Sequence, residues 1–366
     1  MRIKQRSGNI FDNLDNKPDA IVIENYCEPY IDDNFFYITG LKKGIFEGCA
    51  AVLFPDGNTD LLVSKLEEES AKKSSANLKI YRDQNSYDNA LRDSLSHVNS
   101  IGLNFDRVLY RKFQDLKKMF PDTKFVDVSD GFVKTRLVKD KLEIETTKKA
   151  CEIADKAMEK IPDLLHEGMF EFELAAEIDH LMQKNGADKS AFDTISSFGK
   201  NTAEPHYTHG TTKLSKGDFV LCDFGACYKK YNSDMTRVFV FGKASEKQKA
   251  MHKTVLDAQR IGFDRIKPGL KAQEVHNSVN TYIDHTEFKG RFIHSTGHSI
   301  GLSVHDGGAG FSQDCDIELE ENMLFTVEPG VYIPGFGGVR IEDDILVKKD
   351  GMEILTKSPR DLIEIL

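Results

Sequence analysis

Asp218-Phe-Val-Leu-Cys-Asp223-Phe-Gly-Ala226 is followed by a polar turn, Cys227-Tyr-Lys-Lys-Tyr-Asn232, and then by Asp234-Met-Thr-Arg-Val-Phe-Val-Phe241. Both arms are rich in apolar and aromatic residues, as buried strands are. The stretch therefore reads as a β-hairpin with an aspartate on each arm. Folding about Tyr228 and Lys229 would set Asp223 directly opposite Asp234. Opposed residues on one face of an antiparallel pair have Cβ atoms about 4.5–5.5 Å apart. Carboxylates at that spacing suit neighbouring cations, which in two-metal sites lie ~3.5–4 Å apart.

A second stretch repeats the arrangement. Leu324-Phe-Thr-Val-Glu328-Pro-Gly330 leads through Val331-Tyr-Ile-Pro-Gly-Phe-Gly-Gly338 to Val339-Arg-Ile-Glu342-Asp-Asp-Ile-Leu-Val347. Pro334, Gly335, Gly337 and Gly338 mark the turn. Folding about Gly335 places Glu328 opposite Glu342. Gly297-His298-Ser-Ile-Gly301 adds an imidazole. Asp223, Asp234, His298, Glu328 and Glu342 form a candidate metal site. An oxygen-rich set of this kind suits two divalent cations, and four carboxylates offset the charge of two M²⁺ ions. Without cations, packed carboxylates would repel one another and raise their own pKa values. A single Asp at a strand end is usually a turn or cap residue; the five together carry the reading.

At these residues the chain resembles a known family. Leu221–Ala226 (LCDFGA), Asn232–Arg237 (NSDMTR), His294–Asp306 (HSTGHSIGLSVHD), Thr326–Gly330 (TVEPG) and Gly337–Asp344 (GGVRIEDD) are similar, in order, to the motif series of the pita-bread metallopeptidases prolidase (Xaa-Pro dipeptidase) and aminopeptidase P. The likeness covers residues 134–366. A weaker one, to the creatinase-like N-terminal domain, covers 1–130, mainly through Asn34-Phe-Phe-Tyr-Ile-Thr-Gly-Leu41.

The resemblance implies an α/β N-terminal domain, then an α+β pita-bread catalytic domain with a pseudo-twofold repeat. It implies two divalent metal ions, Mn, Co, Fe or Zn, and hydrolysis of the N-terminal Xaa-Pro bond of dipeptides or short peptides. His206, in Glu204-Pro-His-Tyr207, falls where the family keeps a catalytic histidine. His206 and His305 are expected to bind substrate and stabilise the tetrahedral intermediate, with His294 beside them. Arg340 is expected to neutralise or orient a carboxylate ligand. Glu328, already a ligand, is the expected proton acceptor and shuttle. The substrate's free α-amino group is expected to meet the metals or a nearby carboxylate. Tyr207, Phe336 and Ile300 are candidates for a wall against the proline ring. The first domain is expected to help close the pocket and to support a homodimer.

Neighbouring residues read more plainly. Strand alternation sends Cys222 and Asp343 to the face away from the ligands. Asp344 is left open as a carboxylate supporting the site. His209 reads as a surface residue. His305-Asp-Gly-Gly-Ala-Gly310 follows no strand-to-helix phosphate pattern and reads as a loop. The basic run Arg111–Lys118 reads as a solvated helix face rather than a nucleic-acid site.

Composition fits this picture. A chain of 366 residues suggests two domains. A formal net charge of −10 argues against nucleic acid or an anionic membrane as partner. No apolar run approaches the ~20 residues of a membrane helix. Met1–Lys17 lacks the apolar stretch of a signal peptide. Six cysteines without CxxC or framework spacing fit reduced thiols and a cytoplasmic protein.

In the first domain, Ala20–Glu24, Cys49–Phe54, Thr59–Val63 and Ser100–Leu103 read as strands, with helices over Lys65–Lys73 and Tyr87–Val98. The polar stretch Ser129–Lys141 reads as the boundary. After it, Ala150, Ile153, Ala154, Ala157, Met158, Ile161 and Leu165 recur at helical spacing. Glu167–Ile178 echoes Pro268–Val279, each copy leading to a carboxylate-bearing hairpin. Together with the paired hairpins, that echo suggests two related halves sandwiching the metals at a pseudo-twofold axis.

Two other functions compete. A methionine aminopeptidase shares the five ligands but usually lacks the first domain and the GGVRIED motif. A non-catalytic binding module on the same fold typically loses the ligands, as creatinase does.

Overall fold

Ala20–Glu24, Ala50–Leu53, Thr59–Ser64 and Ser100–Leu103 are short apolar runs, and each is a strand of one six-stranded sheet. Across the sheet the order is Asn77–Tyr81, Thr59–Ser64, Ala50–Leu53, Ala20–Glu24, Ser100–Leu103, Lys124–Asp127. Ala50–Leu53 runs antiparallel to both neighbours, and the remaining pairings are parallel. Tyr87, Leu91 and Leu95 pack with Val22, Val52, Leu62, Ile101 and Leu103 in the core under one face. This is the computed structural model of the chain; it describes residues 2–366 and divides into two compact units, Met1–Arg136 and Leu137–Leu366.

Two helices of the first unit differ from expectation. The one expected over Lys65–Lys73 shrinks to Glu68–Ala71. The other begins at Gln84, because Asp83 accepts from the Ser86 amide while the Ser86 hydroxyl takes the Asp83 N–H. That reciprocal cap fixes the start of the helix ahead of its apolar face.

In the second unit, Asp140 caps the helix Lys141–Met158 by accepting from Leu142 and Glu143 amides, and Glu143 reaches back to the Asp140 amide. The apolar series from Ala150 to Leu165 is buried, as its spacing requires. It packs on the strands Phe219–Phe224 and Met235–Phe241, the centre of a four-stranded sheet completed by Ile195–Phe198 and Ile363–Ile365. Leu324–Val327, Asp343–Lys348 and Gly351–Ile354 form a second sheet.

The sequence echo is a structural duplication. Gly168 donates its amide to Leu214 O, and Leu214 returns a bond to Met169 O. Gly269 and Leu319 do the same, with Leu319 returning to Leu270 O. Each copy then opens a helix, Glu171–Lys184 or Ala272–Asp284, capped by a glutamate three residues past the cap: Glu173 on the Phe170 amide, Glu274 on the Lys271 amide. Among the described residues, no helix is long and apolar enough to cross a membrane.

Candidate metal centre

The first hairpin turns one residue later than expected. Cys227 pairs with Asn232 and Tyr228 with Tyr231, so Lys229 and Lys230 form the turn. Both have positive φ, 50° and 74°, as a two-residue primed turn requires. The ladder therefore sets Asp223 opposite Thr236, and Asp234 is its diagonal neighbour rather than its partner. The second hairpin folds about Gly335 as expected. Val331 faces Val339, and in the outer ladder Val327 faces Asp343. Glu328 and Glu342 keep the same register between those two ladders.

The five residues meet. All line one cavity of about 420 Å³. Ligand atoms of Asp234, His298 and Glu342 lie within 4.8 Å of one another. His298 Nε2 is 3.6 Å from Asp234 Oδ2 and 3.7 Å from Glu328 Oε1. Two glycines permit the approach. A Cβ on Gly225 would lie 1.7 Å from Ser233 O, and one on Gly297 would lie 2.0 Å from Thr326 O. No side chain fits at either position.

Arg340 is buried against this cluster. Its Nη2 pairs with Asp223 Oδ2, its Nε donates to Thr236 Oγ1 at 3.0 Å, and its Nη1 donates to Tyr332 Oη at 2.9 Å. Thr236 Oγ1 in turn donates to Glu342 Oε2 at 2.6 Å. One guanidinium thus braces carboxylates from both hairpins. Asp344 joins them: its Oδ2 accepts the Asp234 amide at 2.9 Å and the Cys151 thiol. Five carboxylates against one guanidinium leave four negative charges, still the complement of two M²⁺ ions.

The donor set fits cations on a further observation. Asp223 Oδ1 and Asp234 Oδ1 are buried and take no hydrogen bond from the described residues. Such oxygens carry a full desolvation penalty unless something positive meets them.

The crowding shows in the carboxyls. Burial raises Asp234 well above its usual range, and the Asp223 charge adds to this. Glu342 rises likewise by burial and then by Asp234. Glu328 rises by burial, opposed by His298 and Arg340. Asp344 is pushed up to about 7, mainly by burial. A folded-state carboxyl with a raised pKa holds its proton after the unfolded chain has lost it. Stability is therefore full below the unfolded value near 4 and falls as pH rises through the folded values. We predict that chelated protein resists urea better at about pH 5 than at about pH 7.5, by on the order of a few kcal/mol. Divalent metal should abolish that slope. Asp83, whose pKa is lowered by the Ser86 amide, acts below this window. A flat profile for the chelated protein would contradict the crowding.

The histidines divide by their contacts. His305 stacks on His298, ring centroids 4.0 Å apart, and is pushed down to about 4 by burial and by His298. His294 Nε2 is 2.8 Å from Tyr332 Oη, and its Nδ1 is 3.9 Å from Glu328 Oε2. Burial, then Arg340, pushes His294 down to about 3. His206 lines the cavity from an exposed loop. His209 is half-buried rather than on the surface, its Nδ1 2.9 Å from Thr194 O.

The expected apolar wall is corrected. Tyr207 turns away to Glu171 and Asn201, Phe336 packs on Phe219, and Ile300 lies in the core with Leu324 and Leu346. The cavity's apolar lining is Phe192, Ile195, Pro205 and Val304. Only the placement of Ile195 beside Asp223 in the sheet is a strand feature. Cys222 is a buried core thiol, and Asp343 faces away into bonds from Arg237, Gln259, Thr356 and Arg360.

Residues 145–349 match the model of metallopeptidase family M24. The chain belongs to this family. Residues 15–138 match the creatinase/prolidase N-terminal domain. Among its relatives, the Xaa-Pro dipeptidase of Pyrococcus horikoshii is 37% identical over 348 residues, 95% of each chain. Two solved family structures superpose along the whole length. The X-Pro aminopeptidase of Thermotoga maritima has a TM-score of 0.91 at 31% identity, covering 98% of this chain and 99% of that one. The Xaa-Pro dipeptidase of Bacillus anthracis has a TM-score of 0.90 at 34% identity, covering 99% of both.

Proposed function

We propose that the chain is a metal-dependent peptidase that hydrolyses the N-terminal Xaa-Pro bond of dipeptides or short peptides. The observation that carries this is the gathering of Asp223, Asp234, His298, Glu328 and Glu342 around one cavity, in a chain that matches an Xaa-Pro dipeptidase over 95% of both lengths. A cavity of about 420 Å³ suits a ligand of dipeptide to tripeptide size. Its apolar wall of Phe192, Ile195, Pro205 and Val304 offers a seat for a proline ring. Proline has no backbone N–H, so that wall need hold no acceptor for one.

Two divalent cations, Mn, Co, Fe or Zn, on Asp223, Asp234, His298, Glu328 and Glu342 would supply an acidified water and a Lewis acid for the scissile carbonyl. Glu328 accepts the proton of the attacking water and passes it to the leaving nitrogen. His206 and His305 donate hydrogen bonds to the developing oxyanion. His294 helps seat the substrate beside Glu328. Arg340 holds Asp223 and, through Thr236, Glu342 in place. We propose further that the enzyme works as a homodimer, as the family resemblance of its first domain implies, and in the cytoplasm, as cysteines without framework spacing suggest.

The deciding experiment compares Met-Pro, Met-Ala and N-acetyl-Met-Pro, then Xaa-Pro dipeptides against Xaa-Pro-Yaa tripeptides, under matched metal loading. Met-Pro is expected to be cleaved and the acetylated peptide spared. Equal cleavage of Met-Ala would favour the methionine aminopeptidase reading. No cleavage with metal bound would favour a binding module. We also predict that His206→Ala keeps its metals and loses ~10²–10³ in kcat, the usual cost of one oxyanion donor. A change confined to KM would reduce His206 to substrate binding.

A further inference from the structure

Helix Glu171–Lys184 begins beside the loop that carries His206. Its first residue, Glu171, is fully buried. A buried carboxylate needs donors, and Glu171 has four. Oε1 accepts the Phe198 amide at 2.8 Å and Asn201 Nδ2 at 2.9 Å. Oε2 accepts Tyr207 Oη at 2.8 Å and the Gly210 amide at 3.1 Å. Two donors precede His206 in the chain and two follow it. Asn201 Nδ2 cross-links the group: Tyr207 Oη and Thr212 Oγ1, each 2.9 Å away, share its two hydrogens with Glu171 Oε1. The Glu171 amide donates to Thr212 O at 3.2 Å.

On the other side of His206, Pro205 O accepts from Arg340 Nη1 at 3.3 Å. Both chain neighbours of His206 are therefore tied, Tyr207 to Glu171 and Pro205 to the arginine that braces Asp223. The duplicated half lacks the device. By the Gly168–Gly269 correspondence, Ala272 stands where Glu171 does. The carboxylate belongs only to the copy whose loop carries His206.

We infer that Glu171 is a positioning residue for the reaction: its carboxylate gathers the loop 198–210 so that His206 faces the scissile carbonyl. This rests on the proposed role of His206. Glu171 touches neither substrate nor ligand and acts through the backbone it holds. A misplacement of ~1 Å at a reacting group can cost 10²-fold. Few single substitutions at this distance from the cluster should do as much.

The test is a double-mutant cycle of Glu171→Gln with His206→Ala. Gln keeps the shape but turns an amide NH₂ towards one pair of donors. Glu171→Gln alone should lower kcat by roughly 10- to 10²-fold, with metal content unchanged and KM little moved. Placed in the His206→Ala background it should cost no further kcat. Amide hydrogen exchange over 198–212 should quicken in Glu171→Gln, a readout independent of turnover. If Glu171→Gln does not fold, Tyr207→Phe removes one donor from the same carboxylate and enters the same cycle. An equal loss of kcat with and without His206, or faster exchange with unchanged kcat, overturns the clamp alone. An unchanged kcat in His206→Ala by itself overturns the role of His206, and the purpose of the clamp with it.

Discussion

Exhaustive chelation, or Asp234→Asn, should abolish hydrolysis, with kcat/KM falling by at least ~10³-fold. The lost chemistry is worth several kcal/mol: an acidified water and a polarised carbonyl. Asp234 is the sharpest place to test it. Its carboxylate lies within 4.8 Å of ligand atoms of both His298 and Glu342, and its Oδ1 takes no hydrogen bond from the described residues. An amide there removes a charge and turns a donor towards the cations. Elemental analysis should find two divalent cations per saturated chain and a deficit in Asp234→Asn. Full activity after complete chelation, or no metal bound at all, would remove the basis of the proposed mechanism.

Glu328→Gln should lower kcat by at least ~10², the range usual for losing a general acid–base group. Glu328 lies outside the tightest three-residue cluster, with Oε1 at 3.7 Å from His298 and Oε2 at 3.9 Å from His294. Gln keeps an oxygen that can ligate but cannot carry the proton. Metal content must be measured in parallel, because a vacated ligand position would imitate a lost base. Near-normal turnover with both cations present would assign the proton transfer to another group.

Residue type and order made the candidate ligand set readable, because four acids and a histidine in that motif series have few other uses. Register was readable only where the turn announced itself. Gly335, at φ 79°, marks the second hairpin in the sequence. Lys229 and Lys230 carry positive φ with side chains that give no warning of it, so the first hairpin was expected one residue early. The apolar wall was misread for a related reason. Phe192, Pro205 and Val304 reach the cavity from irregular segments, whose direction no periodicity encodes. Glu171 was passed over because a glutamate in the first turn of a helix ordinarily serves the helix itself. Its burial among loop amides is a tertiary fact. Arg340 and Thr236 show the intermediate case: alternation put Arg340 on the ligand face, and only packing linked it to both hairpins.

Gly225 and Gly297 bear on how other chains with these motifs should be judged. Each sits within two residues of a proposed metal ligand, and each leaves less than 2.1 Å between a hypothetical Cβ and a neighbouring carbonyl oxygen. The ligands can be counted in any homologous sequence, but the count says nothing about whether the strands that carry them can close. A descendant that keeps Asp223 and His298 yet exchanges either glycine for a larger residue would retain the donors and lose the room to bring them together. Inheritance of the activity is therefore better traced through these two side-chain-free positions together with the five donors than through the donors alone.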